Sequence, residues 1–224
     1  MNEIAAYGKV RGLDVGAYCR VGCEDHPIGL SGQGEQLFAW AAAQGQENAR
    51  GGRSYWVANP IGSPIAAVTA IPTTAVILAL FNNEPEGGRS YIIDYAWAHF
   101  VVVPAALVHC GIIGLLGQVR EAIPTNSAAV VKCSHGMGKL DTLSRTVLNT
   151  TVPATTGLAG SWQPLGDSIR TSIVSVAGVN IMNPVDGRII VPPGRYFGVH
   201  VLSSVTTSTS IMGIGWTEKQ LYLG

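Results

Sequence analysis

The chain has 224 residues, of which 12% are charged and 47% are hydrophobic, and its 14 basic residues balance its 14 acidic ones. An ordinary soluble domain carries about 25% charged residues, so this chain has unusually little polar side-chain surface. Because the formal net charge is zero, no global field attracts nucleic acid or an anionic membrane, and we expect neither as a partner.

Scarce charge has two common physical outcomes, insertion into lipid or burial against other protein chains. The most apolar stretches, Ala96–Leu107 and Val108–Val119, are interrupted by Pro104, by histidines and by glycines. Neither reaches the roughly 18 to 20 uninterrupted apolar residues that a spanning helix needs. The sequence therefore favours burial against protein partners over a membrane helix.

The sequence shows no targeting pattern at its beginning and no disulfide pattern along its length. Met1–Ile4 has no basic region followed by an apolar one, so we expect no signal peptide and a product that stays in the cytoplasm until it assembles. The four cysteines, Cys19, Cys23, Cys110 and Cys133, are few and irregularly spaced, which favours reduced thiols.

Glycine and scattered charges dominate the chain up to Gly34. This composition favours irregular backbone over a packed layer. We therefore predict an N-terminal arm or extended segment over residues 1–34 and one β-sandwich domain over residues 35–224. The short run Leu37–Ala43 does not decide between helix and strand.

From Ser54 onward, runs rich in Val, Ile, Thr, Tyr and Trp alternate with Asn, Gly and Pro turns, as β-strands do. The clearest unit is Thr73–Phe81 and Ser90–Val103, joined by the polar loop Asn82–Arg89, and it predicts a hairpin. Period-two geometry predicts that five residues of the second strand share one face: Tyr91, Ile93, Tyr95, Trp97 and Val101. The other face is apolar except for Asp94, which indicates a strand enclosed between two layers or covered by a partner subunit.

A second hairpin is predicted near the end of the chain, from Gly194–Leu202 and Ile211–Thr217 around the loop Ser203–Ser210. Six alternating residues are expected to share its core: Phe197, Val199, Val201, Met212, Ile214 and Trp216. Further strands are expected at Ser127–Cys133, Ser172–Val176 and Gly187–Val191. Roughly eight strands with short connections predict an all-β sandwich or jelly roll.

The segment Gly-Gly-Arg-Ser-Tyr occurs twice, at Gly51–Tyr55 and at Gly87–Tyr91. Each copy precedes a β-like run. Because a repeat array normally shows three or more whole units, we attribute the two copies to shared turn chemistry rather than to duplication.

Several short patterns approach known sites, and each departs from the pattern at a named position. Cys19, Cys23 and His26 are soft ligands without the paired spacing of a zinc site. Cys133 and His135 need a turn between them before a thiol and a base could meet.

Two further patterns approach nucleotide and hydrolase motifs. Gly136–Lys139 is followed by Leu140, where a phosphate loop needs Ser or Thr for magnesium. Gln33 separates Ser31 from Gly34, so the nucleophile-elbow spacing fails by one position.

The remaining reactive residues are scattered, so we predict no enzyme, no catalytic residue, no cofactor and no metal. The isolated histidines are expected to be packed or at an interface: His99, His109, His135 and His200. The carboxylates give no sign of a convergent pair: Asp94, Glu84, Glu86, Asp141, Asp167, Asp186 and Glu218. Three aromatic residues are expected as satellite core under loops, although an exposed ring could contact a sugar or another subunit: Trp56, Trp162 and Tyr222.

Four short segments carry a resemblance: Val191–Phe197, Met212–Trp216, Leu80–Asn83 and Tyr91–Asp94. In the general character of these segments, and without a diagnostic motif, the chain resembles small bacteriophage jelly-roll proteins. That group includes head decoration (cement) proteins and tail-associated modules. The resemblance extends from about Ser54 to the end of the chain and implies a trimer or another symmetric homo-oligomer fixed on a capsid or tail. It transfers no functional residue, and the Gly-rich N-terminal segment has no counterpart in it.

Together these observations predict a non-catalytic structural protein of a bacteriophage virion, a decoration or cement protein that stabilises the particle. The expected partners are sister copies and the major capsid or tail protein of the same particle. Two alternatives stay open: a tail-associated receptor- or carbohydrate-binding module, and a sandwich hydrolase with a cleft of converging carboxylates or histidines.

Overall fold

The structure is a computed structural model, and it describes residues 18–21, 24–27, 48–49, 52–73, 75–102, 108–117, 125, 131–135, 142–151, 162–166, 169–171 and 180–221. The chain divides into two compact units, Met1–Asn48 and Ala49–Gly224. Within the described ranges, no helix has the length and apolar character needed to cross a bilayer.

The described residues form fourteen strands, which in chain order are β1 (Tyr18–Val21), β2 (Glu24–Pro27), β3 (Ser54–Ala58), β4 (Ile65–Ala66), β5 (Ala75–Phe81), β6 (Arg89–Val102), β7 (Val108–Leu116), β8 (Val131–Ser134), β9 (Arg145–Thr151), β10 (Trp162–Pro164), β11 (Ile169–Thr171), β12 (Asn180–Val191), β13 (Tyr196–Ser203) and β14 (Thr209–Gln220). In the first unit, β1 and β2 pair antiparallel. Most of the predicted arm, residues 1–34, lies outside the described residues, and the boundary after residue 34 stays a prediction.

The second unit consists of two six-stranded antiparallel sheets. Sheet I has the order β10-β7-β13-β5-β9, with β11 also paired to β7. Sheet II has the order β12-β6-β14-β3-β8, with β4 paired to β14. The predicted fold class, an all-β sandwich of jelly-roll type, is confirmed, although the twelve described strands of this unit exceed the roughly eight that were expected.

The two sheets share one hydrophobic core, to which β3, β5, β6, β7, β12, β13 and β14 all contribute side chains. The six residues predicted for this core, Phe197, Val199, Val201, Met212, Ile214 and Trp216, are all buried in it. Tyr55 and Tyr91, which end the two Gly-Gly-Arg-Ser-Tyr segments, pack on Trp216 with ring centroids 5.6 and 6.1 Å away. Both copies of the segment thus begin a strand that lies beside β14 and turns a tyrosine inward.

Sheet I is also apolar on the face that points away from this core. Val76, Phe81, Ile113, Leu115 and Tyr196 are buried there in a second cluster. Sheet I thus buries apolar side chains on both of its faces.

Both predicted hairpins are wrong in their pairing, although their strands exist. β5 lies in sheet I and β6 in sheet II, and β13 and β14 are divided in the same way. Each connection is therefore an arch between the two sheets. Because all four strands are apolar on their core face, the sequence pattern does not distinguish strands that pair side by side from strands that stack face to face.

The first arch is held by the buried side chain of Asn82. Its Nδ2 donates to the carbonyl oxygens of Arg89, at 2.9 Å, and Val191, at 2.8 Å. Its Oδ1 accepts the backbone N–H of Glu84 at 3.0 Å. One side chain thereby bonds the end of β5 to the beginning of β6 and the end of β12.

The predicted shared face of β6 is also wrong, because the strand contains a β-bulge. Its register with β14 shifts between Gly215 and Trp216, which pair with Tyr95 and Ile93 and leave Asp94 as the extra residue. An extra residue reverses the side-chain alternation beyond it. Tyr91 and Ile93 therefore point into the core, whereas Tyr95 and the residues that alternate after it point outward.

The other predicted strands have mixed outcomes. Gly187–Val191 belongs to the longer strand β12, whose register with β6 shifts between Pro184 and Ile189. Ser127–Cys133 overlaps β8 in part. Ser172–Val176 and Leu37–Ala43 lie outside the described residues.

Candidate functional site

The outer face of sheet II contains an aromatic groove with a volume of about 630 Å³. Its described lining comes from the three strands β3, β6 and β12 and from the residue that follows β8: Trp56, Tyr95, Trp97, His99, His135, Asn180 and Met182. We refer to these seven residues as the aromatic groove. The first four side chains are partly buried and the last three are exposed.

The antiparallel register aligns the rings of the groove on either side of β14. Gly215 pairs with Trp56 on one side and with Tyr95 on the other. One row further along, Gly213 pairs with Trp97, which in turn pairs with Met182. Cross-strand neighbours on one sheet face are close enough for their side chains to touch.

Two glycines let the rings lie flat against the sheet. A Cβ atom at Gly213 would lie 2.6 Å from Trp97 Cε2, and one at Gly215 would lie 2.3 Å from Tyr95 Cζ. Real Cβ atoms do not come so close, so both rings occupy space that any other residue on β14 would fill. One ring face packs on bare backbone, and the groove opens above it.

His135 connects the two sides of the groove by hydrogen bonds. Its Nδ1 lies 2.9 Å from Ser54 Oγ, and its Nε2 lies 2.9 Å from Tyr95 Oη. The rings of Tyr95 and His135 also meet edge to face, with centroids 6.2 Å apart. Because both nitrogens are engaged, Tyr95 and His135 hold each other in position.

The groove is electrically neutral in its described lining, which includes no Asp, Glu, Lys or Arg. The carboxylate of the bulge residue, Asp94, accepts a hydrogen bond of 2.9 Å from Thr217 Oγ1. Burial raises the pKa of Asp94 above its usual value, although the Thr217 hydrogen bond and the nearby His135 act in the opposite direction. The described lining therefore offers hydrogen-bonding groups to a ligand, and the nearby Asp94 carboxylate is engaged by Thr217.

A cluster of charges lies at one end of the sandwich. Arg89 Nε lies 2.9 Å from Glu84 Oε2, and Arg89 Nη1 lies 3.0 Å from Glu218 Oε1. Glu218 is completely buried and also accepts hydrogen bonds from Thr142 and Trp216. Burial raises the pKa of the Glu218 carboxyl, while Thr142 and Arg89 lower it.

The sequence did not indicate that Glu84 and Glu218 converge. They share one arginine, which neutralises part of their charge and fixes both carboxylates to the frame of the sheets. This arrangement joins the beginning of β6 to the end of β14, and it is a structural ion pair network rather than a pair of carboxyls facing a cleft.

The side chains of the soft-ligand pattern lie outside the described part of the structure, and the thiol pattern does not bring a free imidazole to Cys133. Cys19 and His26 are backbone partners in the first unit, and Cys23 lies outside the described residues. Cys133 is a free, partly buried thiol, and both nitrogens of His135 are engaged by Ser54 and Tyr95. In the part of the chain that is described, no group of three His, Cys, Asp or Glu side chains could hold a metal ion.

The other histidines are dispersed. His200 is 2% exposed on the outer side of sheet I, and burial lowers its pKa to about 4. Among the described residues, its Nδ1 has no hydrogen-bond partner. His109 is exposed at the beginning of β7, and His99 lines the aromatic groove.

The three aromatic residues singled out in the sequence have different positions. Trp162 is buried in the second cluster of sheet I and donates to the Pro72 carbonyl at 3.0 Å, as expected for satellite core. Trp56 lies in the aromatic groove instead of under a loop.

Several residues singled out in the sequence lie outside the described residues: Tyr222, Ser31, Gly136–Lys139, Asp141 and Asp167.

Sequence reasoning missed Tyr95 and Trp97 as groove residues. A usable signal was present, since Gly213 and Gly215 alternate on β14 with the core residues Met212, Ile214 and Trp216. Two glycines on one face of a central strand leave space for large neighbours. That signal requires the pairing of β14 with β6, which the predicted hairpin excluded.

Comparison with known proteins adds no relative: no family model matches the chain, and no curated protein matches its sequence.

Proposed function

We propose that the chain is a non-catalytic structural protein that forms a symmetric homo-oligomer and stabilises a bacteriophage particle as a decoration or cement protein. Its partners are sister copies and the major capsid or tail protein of the same particle. It is made in the host cytoplasm and resides in the virion. The resemblance to phage jelly-roll proteins supports the assignment to a phage particle. The distribution of charge supports self-association as the mode of assembly.

The observation that carries the proposal is a set of turns and strand ends, at one end of the sandwich, that contains no charged residue. β6 ends at Val102 opposite Thr209, where β14 begins, and Ala66 of β4 pairs with the same Thr209. We call residues 59–68, Val102 and residues 203–209 the uncharged end, because this set contains no Asp, Glu, Lys or Arg. The Arg89 cluster lies at the opposite end of β6.

Large apolar side chains are exposed at the uncharged end. Ile61 is 83% exposed and Val102 is 49% exposed. Exposed apolar groups rimmed by small hydroxyl residues, here mostly Ser and Thr of residues 203–209, are typical of protein contact sites. Covering them with a neighbouring chain stabilises the assembly by about 25 cal/mol per Å² of apolar surface removed from water.

The occupant of the uncharged end is a sister copy of the chain. A neutral surface gives no electrostatic complementarity to a charged partner, but it packs against its own symmetry mate without repulsion. The charged end exposes Lys219 and part of Arg89, and it keeps the assembled oligomer in contact with water or with a charged neighbour.

Particle attachment is tested by co-sedimentation. The purified chain is mixed with particles of the phage that encodes it, from which the endogenous copy has been removed genetically, and the pellet is quantified. The proposal predicts saturable binding in a whole-number ratio to the major capsid or tail protein. A chain that is monomeric at micromolar concentration and also fails to bind particles would refute the proposal.

A second function, recognition of a receptor or carbohydrate by a tail-associated module, is favoured by one specific observation. The aromatic groove gathers partly exposed rings and hydrogen-bonding side chains on one sheet face, and such a surface suits a recognition module. A cell-binding assay with the fluorescently labelled chain tests this function, and absence of saturable binding to any host cell would exclude it.

A further inference from the structure

We propose that the aromatic groove is a binding site for a neutral saccharide, with the rings of Tyr95, Trp97 and Trp56 as the stacking surface. This inference rests on the second proposed function and specifies its site and ligand class. It is independent of assembly through the uncharged end, because the two surfaces share no residue.

The first argument is the orientation of the rings. Close approach to Gly213 and Gly215 presses Trp97 and Tyr95 onto the backbone of β14, so each ring turns its second face toward the open groove. A pyranose has a face of C–H groups, and that face packs on an aromatic plane of this kind, whereas its hydroxyls point sideways. Rings that stood perpendicular to the sheet would not offer such a plane.

The second argument is the hydrogen-bonding rim. His99 and Asn180 pair across β6 and β12 at one side of the rings, and His135 stands at the other side, fixed by Ser54 and Tyr95. The imidazole of His99 and the amide of Asn180 can donate and accept hydrogen bonds, whereas the nitrogens of His135 are engaged by Ser54 and Tyr95. These groups flank the ring planes, where the hydroxyls of a stacked sugar would lie.

The third argument is the absence of charge. A site for a nucleotide or a single-stranded nucleic acid combines stacking rings with cations for the phosphates, and the described lining of the groove has no Lys or Arg. An anionic sugar would need the same cations. The neutral lining therefore selects a neutral saccharide over a phosphorylated, sialylated or nucleotide ligand.

The fourth argument is size. The volume of about 630 Å³ falls within the range of about 300 to 1,000 Å³ that is usual for small-molecule sites. The groove is also open along the sheet rather than enclosed, so an internal unit of a longer chain can enter it as well as a terminal unit.

The test uses the full-length chain on a glycan array that contains neutral oligosaccharides, sialylated oligosaccharides and phosphorylated oligosaccharides. The strongest neutral oligosaccharide is then titrated by calorimetry against the native chain, Trp56→Ala, Asn180→Ala and Trp162→Phe. Trp56 and Asn180 lie in the groove, whereas Trp162 is a buried tryptophan of sheet I and serves as the matched control. Circular dichroism verifies that each variant is folded.

The proposal predicts binding of at least one neutral oligosaccharide, a loss of affinity of about tenfold or more in Trp56→Ala, and native affinity in Trp162→Phe. Equal affinity in the native chain and both groove variants would place the sugar elsewhere and overturn the assignment. Binding only to charged glycans would overturn the ligand class. If the array is negative while labelled chain still binds host cells, the saccharide inference fails and the recognition function stands; if both are negative, both fail.

Discussion

Replacing Gly213 by alanine is expected to destabilise the sandwich, because the backbone and a ring already occupy the position of the new methyl group. The added Cβ would lie 2.6 Å from the carbonyl oxygen of Val57 on β3, as well as 2.6 Å from Trp97. Trp97 is partly exposed and can rotate away. The carbonyl belongs to the backbone of a paired strand and cannot move without shifting β3.

The magnitude follows from two opposing effects. Overpacking a fitted site costs about 1 to 3 kcal/mol, whereas replacing glycine stabilises by about 0.4 to 1 kcal/mol through loss of freedom in the unfolded chain. The net expectation for Gly213→Ala is a loss of about 1 to 2 kcal/mol. In a chain of this size that loss lowers the melting temperature by about 2 to 8 °C.

The assay is urea unfolding followed by tryptophan fluorescence, with Gly62→Ala as the matched control. A Cβ at Gly62 has no neighbour within 4 Å, so this variant is expected to be as stable as the native chain or slightly more stable. If Gly213→Ala and Gly62→Ala have the same unfolding free energy, the Val57 carbonyl does not lie as close to Gly213 as described, and the tight packing of β3 against β14 at this position is refuted.

Two further predictions concern buried polar groups. Asn82→Ala removes three hydrogen bonds of the arch between β5 and β6, and we expect it to lower the unfolding free energy by about 2 to 4 kcal/mol. The control is Asn180→Ala, which changes an exposed side chain. Equal urea midpoints for the two variants would contradict the role of Asn82 in the arch. His200, whose folded pKa of about 4 lies below the usual histidine value of 6.5, contributes stability above pH 6.5 that is lost as the pH falls toward 4, about 3 kcal/mol in all. His200→Leu should therefore lose less unfolding free energy than the native chain over this pH range. The difference between the native chain and this variant isolates His200 from Glu218, whose raised pKa acts in the opposite direction. Identical pH profiles of the two proteins would show that His200 is not buried as described.

The sequence predicted the class of fold and the inward residues of the final two strands, because alternation of large apolar residues such as Phe197, Val199 and Val201 is strong and uninterrupted. It did not predict the arches. A polar loop of this length suits either a hairpin or a crossing between sheets, and the decision depends on bonds from Asn82 to Val191, more than one hundred residues away.

The candidate site was hidden for a related reason. Strict alternation predicts that Tyr91, Ile93, Tyr95 and Trp97 share one face, but the bulge at Asp94 turns the last two outward. A bulge depends on the register with a partner strand, and no local pattern in residues 89–102 indicates it. Trp56 was noticed as a possible contact residue, yet its neighbours Tyr95 and Trp97 become visible only when β14 is placed between β3 and β6.

Association through the uncharged end is the central claim, and light scattering coupled to size-exclusion chromatography tests it most directly. The native chain, with a mass of 23.4 kDa, is compared at micromolar concentration with Ile61→Glu/Val102→Glu and with Leu143→Glu. Leu143 is 44% exposed and lies beside the charged end, so it controls for the added charge. We predict a whole-number multiple of 23.4 kDa for the native chain and Leu143→Glu, and a single chain for the double variant. A native monomer, or a double variant that keeps the native mass, would contradict the account.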